Sequence, residues 1–314
     1  MDVTVGICTY NRAASLERAL RSIAAMRVPD GVRWEVIVVD NNSKDHTAQV
    51  IEGFRGRLPI RGEFEAKQGK TFALNRAVRE GRGAYFLWTD DDVVVDREWL
   101  AAYLDAFRQW PDGVVFGGKI VPKFEGTVPS WVAEGMYYIK EAYAERDLGD
   151  HFRPLRVENC ELPFGANLAI RAAEQRQFLY DESFGAGPKK RPLGEEIDVV
   201  ERILRAGHAG IWVPGASVDH CIPEHRMTIA YMLHYFGAKG ELLEYEAKDE
   251  LGPRWFGVPR WRLRRLVALW LSYRLHRLTS PPVEWVRHMM EYAIEKGGIE
   301  YRHNEYREGR ARVR

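Results

Sequence analysis

Through the first ninety residues, short apolar runs alternate with amphipathic segments, a pattern that commits the chain to strands joined by crossover helices in a parallel sheet. Val3 to Cys8 reads as the first strand, and Ser15 to Met26 follows with Leu16, Ala19, Leu20 and Ile23 at helical spacing. Trp34 to Val39 is a continuous apolar run suited to a strand buried on both faces. Thr71 to Arg79 and Trp99 to Phe107 read as further helices, with Ala84 to Trp88 as a strand between them. The expected class is α/β, a mostly parallel sheet flanked by helices.

Beyond this frame the pattern weakens. From about Val114 to Trp131 the chain is richer in Gly, Pro and β-branched residues and predicts irregular strands and loops of a substrate-facing half. Gly194 to Ala206 predicts an acidic helix, Gly210 to Val213 a strand, and the chain from about Met227 a mainly helical region. The expected division is a catalytic domain over 1–225 and a basic helical extension over 226–314.

With 314 residues, 46% of them hydrophobic, the chain can bury a sizeable core. A net charge of +1 gives no electrostatic reason to expect nucleic acid as a partner. Cys8, Cys160 and Cys221 are too few and too scattered for a disulfide framework or a thiolate zinc site, which fits a reducing compartment, the cytoplasm. Met1 to Ile7 carries no basic stretch followed by an apolar core, and no run of about 18 apolar residues follows, so neither a secretory signal nor a membrane span is expected.

Ligands of open parallel sheets bind beyond the carboxyl ends of the strands. Three polar clusters sit there: Thr9-Tyr10-Asn11-Arg12, Asp40-Asn41-Asn42-Ser43 and Asp90-Asp91-Asp92. Three consecutive aspartates repel one another. A divalent cation, Mg2+ or Mn2+, would relieve that repulsion while sharing its remaining positions with phosphate oxygens, which implies a diphosphate; a solvated loop or helix cap is the competing account. Asp40 can accept hydrogen bonds from a ribose hydroxyl or a base N–H, or simply cap the turn that follows it. Thr9, Tyr10 and Arg12 can offer a hydroxyl, a stacking surface and a positive charge to a nucleotide; capping of the next helix, with Ser15 as another candidate, explains them equally.

Taken in order, Ile7-Cys8-Thr9-Tyr10-Asn11-Arg12, Val38-Val39-Asp40-Asn41-Asn42-Ser43 and Asp90-Asp91-Asp92 resemble the signature of the family 2 glycosyltransferases, over roughly residues 2–225. The resemblance implies the Rossmann-like GT-A fold, a nucleotide diphosphate-sugar donor, a sugar or lipid-linked acceptor, and transfer with inversion in polysaccharide or glycolipid assembly. It assigns Thr9, Tyr10, Arg12, Asp40, Asp90 and Asp91 to the nucleotide and Asp92 to the metal. Gly69 to Ala77 resembles the loop and helix beneath the nucleotide, with Lys70 balancing diphosphate charge and Asn75 beside it. The acidic pair such enzymes carry at a helix start falls on Glu195 and Glu196, where Glu196 matches the usual Asp of the general base. His220 matches a histidine placed near the metal in many relatives, with His225 a weaker candidate.

Trp131 and Asn167 can line a sugar pocket, although core packing explains Trp131 as well, and Gly165 with Ala166 can permit close backbone approach. Residues 255–277 interleave tryptophans and aliphatics with arginines, which suits either an anionic membrane surface or an amphipathic helix packed on the protein. Contact at the inner membrane face would suit a lipid-linked acceptor. Tyr301 to Arg314, polar and basic, is expected to be disordered. A nucleotidyltransferase, or a nucleotide-sugar-binding protein without turnover, are the alternatives. The first would show a Gly-rich basic loop after the first strand, which Thr9-Tyr10-Asn11-Arg12 is not.

Overall fold

A computed structural model describes residues 1–159, 161–185, 194–247 and 253–312; Cys160 falls outside them. The chain runs β1 (Val3–Thr9), α1 (Ala13–Ala25), β2 (Trp34–Asp40), α2 (Thr47–Gly53), β3 (Ile60–Phe64), α3 (Lys70–Glu80), β4 (Tyr85–Asp90), β5 (Val93–Val95) and α4 (Trp99–Gln109). There follow β6 (Gly113–Phe124), α5 (Ser130–Ile139), β7 (Arg153–Pro154), β8 (Leu168–Arg171), α6 (Ala172–Gln177), α7 (Glu195–Arg205) and β9 (Ala209–Ile222). Three helices close the chain: α8 (Ile229–Glu246), α9 (Arg260–Thr279) and α10 (Pro282–Arg312).

By internal contacts the chain forms two compact units, Met1–Lys123 with Ala144–Cys221, and Phe124–Tyr143 with Ile222–Arg314. The first contains the sheet, in the order β3-β2-β1-β4-β8-β6-β9-β5, with β7 against β9. β3, β2, β1 and β4 are parallel, and β8 is antiparallel to β4. Alternation along each strand divides the core in two. Val5, Ile7, Val36 and Val38 pack with Leu16 and Leu20 of α1 and Trp99 and Tyr103 of α4. Ile37, Val39, Phe86 and Trp88 pack with Ala73 and Leu74 of α3 and Val199 and Ile203 of α7. Each large apolar side chain so buried contributes about 1.5 to 3 kcal/mol.

The register fixes the site. Thr9 pairs with Asp40 across β1 and β2, and Cys8 pairs with Asp90 across β1 and β4, so all three polar clusters leave the same sheet edge side by side.

Over Val114 to Trp131, where irregular strands and loops were expected, one strand of 12 residues, β6, runs to Phe124 and a short connection leads into α5. The glycines of β6 serve close approach rather than turning. A Cβ on Gly118 would lie 2.2 Å from the Ala216 carbonyl oxygen and 2.3 Å from Asn167 Nδ2, so only glycine fits between them.

In the second unit, Val132 and Ile139 of α5, Met232 and Phe236 of α8, and Val286 and Met289 of α10 form a separate core. Trp131 joins it, its ring 5.6 Å from that of Trp285, so packing is what this tryptophan does. Phe124–Tyr143, read from sequence as part of the catalytic region, thus packs with the C-terminal helices. The tail expected to be disordered continues α10 to Arg312.

Candidate active site

The turn after β1 is shaped by its own polar groups. Asn11 adopts φ 52°, the Asn11 N–H donates to Ser43 Oγ at 2.9 Å, and Asn11 Oδ1 accepts from the Lys44 N–H at 2.7 Å. Helix α1 begins at Ala13, whose N–H donates to Asp45 Oδ2, so neither Thr9 nor Ser15 caps it. Thr9 is buried and donates from Oγ1 to Asp91 Oδ2 at 2.8 Å. Tyr10 is exposed at the turn.

Arg12 turns back onto the aspartates, with its guanidinium 3.0 Å from Asp91 Oδ1 and 3.0 Å from Asp92 Oδ2. Burial pushes the Asp91 carboxyl up to about 6, with Arg12 opposing the shift and Asp92 adding to it. Asp92 faces a second partner, because β5 pairs antiparallel with β9 and sets Val93 opposite His220. His220 Nε2 then lies 3.5 Å from Asp92 Oδ1, and both side chains are buried.

Lys70 gathers the other carboxylates. Its ammonium lies 2.5 Å from Glu196 Oε1, 3.4 Å from Glu195 Oε1 and 3.5 Å from Asp90 Oδ1. Burial alone would lower the lysine pKa; Asp90, Glu196 and Glu195 override it and raise the lysine well above its ordinary value. Burial, then the Glu195 charge, push the Glu196 carboxyl up to about 7, against the pull of Lys70.

Acidic residues in the first turn of α7 complement the helix dipole, and Gly194 enters it at φ 109°. The two acids differ in access: the Glu195 side chain is 4% exposed and the Glu196 side chain 15%, which leaves Glu196 the one open to an incoming group. Gly165 forms the wall behind it. A Cβ there would meet Glu196 Oε1 at 2.4 Å, so the Gly165→Ala variant is expected to stay folded but push the carboxylate aside, lowering kcat about 10- to 100-fold with KM for donor little changed, as steady-state kinetics would show.

Asp40 Oδ1 accepts the Ser43 N–H at 2.8 Å, the turn-capping bond, and its Oδ2 carries no hydrogen bond among the described residues. Asn41 is a positioning residue that the motif gave no reason to single out. Its Oδ1 accepts from Gly69 N–H at 2.8 Å and its Nδ2 donates to the carbonyls of Glu65 and Lys67, fixing the loop that starts α3 at Lys70. Asn41→Ala is expected to loosen that loop and weaken donor binding about tenfold, measurable by calorimetry.

Two sequence candidates do other work. Asn75 is buried, accepting from the Tyr180 N–H and donating to the Tyr180 carbonyl, which ties α3 to that segment. Asn167, fully buried, accepts from Trp99 Nε1 and Tyr103 OH and donates to the carbonyls of Lys119 and Ala216. It is a joint between elements. His225 lies in the second unit, in the turn Glu224–Met227.

The sequence model of Glycosyl transferase family 2 matches residues 4–166, more than half of the chain. The chain belongs to that family. This glycosyltransferase is 26% identical over 235 residues to the succinoglycan biosynthesis protein ExoM of Rhizobium meliloti, covering 74% of this chain and 71% of that one. It is 23% identical over 291 residues to the glucosyl-dolichyl phosphate glucuronosyltransferase of Haloferax volcanii, covering 90% and 88%. Among solved structures, the mannosyltransferase PcManGT from Pyrobaculum calidifontis, in complex with GDP-Man and Mn2+, superposes with a TM-score of 0.64 at 19% identity, covering 95% of this chain and 86% of that one. The transferase therefore has the GT-A architecture that its motifs implied.

Two side chains at the site, Asp92 and His220, are of the type that ligates a divalent cation. A carboxylate oxygen of Asp92 and an imidazole nitrogen of His220 face each other, and no group of three or more His, Cys, Asp or Glu that would form a complete protein cage exists among the described residues. The repulsion within the aspartate triplet is already met by Arg12 and Lys70, so repulsion alone does not call for a metal.

Proposed function

We propose that the enzyme transfers a sugar from a nucleotide diphosphate-sugar to an acceptor hydroxyl with inversion, in polysaccharide or glycolipid assembly in the cytoplasm. One observation carries this reading: Lys70 joins Asp90 of the aspartate motif to the acidic pair of α7, so the group suited to hold a diphosphate lies against the group suited to take a proton. Glu196 removes the proton from the acceptor hydroxyl, the freed oxygen pair bonds to the anomeric carbon, and the bond from that carbon to the diphosphate breaks with its electrons leaving on the nucleotide. Lys70 and Arg12 meet the negative charge that develops on the departing diphosphate. Asp40, Thr9 and Tyr10, with Asp90 and Asp91, border the nucleoside. Asp92 and His220 would hold Mn2+ or Mg2+, which supplies Lewis-acid stabilisation of the leaving group.

Similarity to a glucosyl-dolichyl phosphate glucuronosyltransferase supports a lipid-linked acceptor, and similarity to an enzyme solved with GDP-Man and Mn2+ supports a metal-assisted donor. Release of nucleoside diphosphate from a panel of donor sugars, with the product's anomeric configuration read by NMR, tests the proposal. An inverted product is expected. Donor binding without release, or a product of retained configuration, would overturn it.

A further inference from the structure

Helix α9 presents an outward face that its own unit leaves uncovered. Val267, Leu271, Leu275 and Leu278 recur at positions spaced to fall along one side of a helix. They are 57%, 55%, 60% and 85% exposed, values that a packed amphipathic helix reserves for polar residues. Trp261 and Trp270, also exposed, join the same helix surface. Inward, the helix is anchored by Tyr273 and by Arg262, which is buried against Glu244 and Glu295.

The charge on this surface has one sign. The 20 residues of α9 contain no Asp or Glu. Arg262 is spent inside, and Arg265 reaches Glu295 at 3.7 Å. Arg260, Arg264, Arg274 and Arg277 are exposed, and none is paired with a carboxylate among the described residues. The Arg260 and Arg274 guanidiniums instead lie over the rings of Trp255 and Trp270, and that of Arg277 donates to the Tyr273 hydroxyl and lies over Trp285. An exposed aliphatic line about 16 Å long shares its side of the helix with Arg260, Arg264 and Arg274, a mixture that suits a bilayer surface, where aliphatic side chains enter the acyl boundary and arginine stems reach back up to anionic headgroups. No helix among the described residues is long and apolar enough to cross a membrane, so the match is to a helix lying on the surface.

We propose that the α9 face docks this protein on an anionic phospholipid bilayer, the aliphatic side chains entering the acyl boundary and Arg260, Arg264 and Arg274 meeting lipid phosphates. An acidic protein partner would meet the arginines but gives no use for the four exposed aliphatic side chains among them. The docking is separate from sugar transfer and stands or falls without it.

Co-sedimentation of the full chain with phosphatidylglycerol-containing vesicles tests the proposal. Binding is expected, at least tenfold weaker on pure phosphatidylcholine vesicles and weakened further by salt. The triple variant Leu271→Asp, Leu275→Asp, Leu278→Asp alters exposed positions only; it is expected to keep the wild-type melting temperature and donor turnover and to lose at least tenfold in vesicle affinity. The double variant Arg264→Glu, Arg274→Glu is expected to lose the preference for anionic vesicles. Wild-type protein that stays in the supernatant with anionic vesicles would overturn the proposal, as would variants that bind as well as wild type. So would a vesicle-free dimer, seen by ultracentrifugation, that the leucine substitutions dissolve, because the face would then be a contact between copies of this chain.

Discussion

Glu196→Gln is expected to lose about 10²- to 10⁴-fold in kcat, the range that a positioned general base supplies. The amide keeps the shape of the side chain and an oxygen for the Lys70 ammonium, but it cannot take a proton. Donor affinity should therefore stay within a fewfold of wild type. Glu195→Gln should cost far less, since Glu195 is the more enclosed of the pair. If the Glu195 variant proves the more damaged in single-turnover kinetics, the two roles are reversed. The same assignment fixes a pH dependence. The Glu196 carboxyl is raised to about 7, and only its ionised form can accept a proton. The acid side of the kcat/KM profile should accordingly rise with pH up to about 7 and level off above it, and Glu196→Gln should abolish that limb. An ordinary surface carboxylate would place the limb near 4, well below the working range.

Asn167→Leu is expected to cost about 3 to 5 kcal/mol of stability, through four broken hydrogen bonds, three of them fully buried. Trp99 Nε1, the Tyr103 hydroxyl and the carbonyls of Lys119 and Ala216 would each lose a hydrogen bond, all but the Lys119 bond in buried surroundings. Asn167→Asp keeps the acceptor and should fall between the two. Denaturant melts of the three proteins check the order. A leucine variant within 1 kcal/mol of wild type would mean that the site repacks or admits water.

The parallel half of the sheet was legible because its strands are buried on both faces and read as unbroken apolar runs. β1, β2 and β4 each extend to a polar last residue, Thr9, Asp40 and Asp90, because pairing persists after the apolar run stops. β3 was missed for the opposite reason: as the edge strand it carries Arg61 and Glu63 among its five residues, so no apolar run marks it. In β6 the glycines looked like breakers and are contact points, a distinction that depends on what lies opposite.

Motif order found the strand-end clusters, whereas their partners needed the fold. Arg12 and Lys70 read as contacts for the nucleotide and its diphosphate; the fold adds their carboxylate partners, Asp91 and Asp92 for Arg12, and Asp90, Glu195 and Glu196 for Lys70. Asn75 and Asn167 carry ligand-like amides, yet burial spends both on backbone and core partners. Polar type alone does not separate a side chain that waits for a ligand from one that bolts two elements together.

The central claim, a metal-assisted nucleotide-sugar site bordered by Asp40 and Asp92, is tested most directly by thermal melting with uridine, guanosine and thymidine diphosphate-sugars, each with and without Mn2+, in wild type and Asp92→Ala. Ligand a hundredfold above its dissociation constant stabilises by about 2.7 kcal/mol. One nucleotide class is expected to raise the melting temperature only when Mn2+ is present, and Asp92→Ala is expected to remove that increment. No shift with any donor, or a shift that neither a chelator nor Asp92→Ala reduces, would contradict the account.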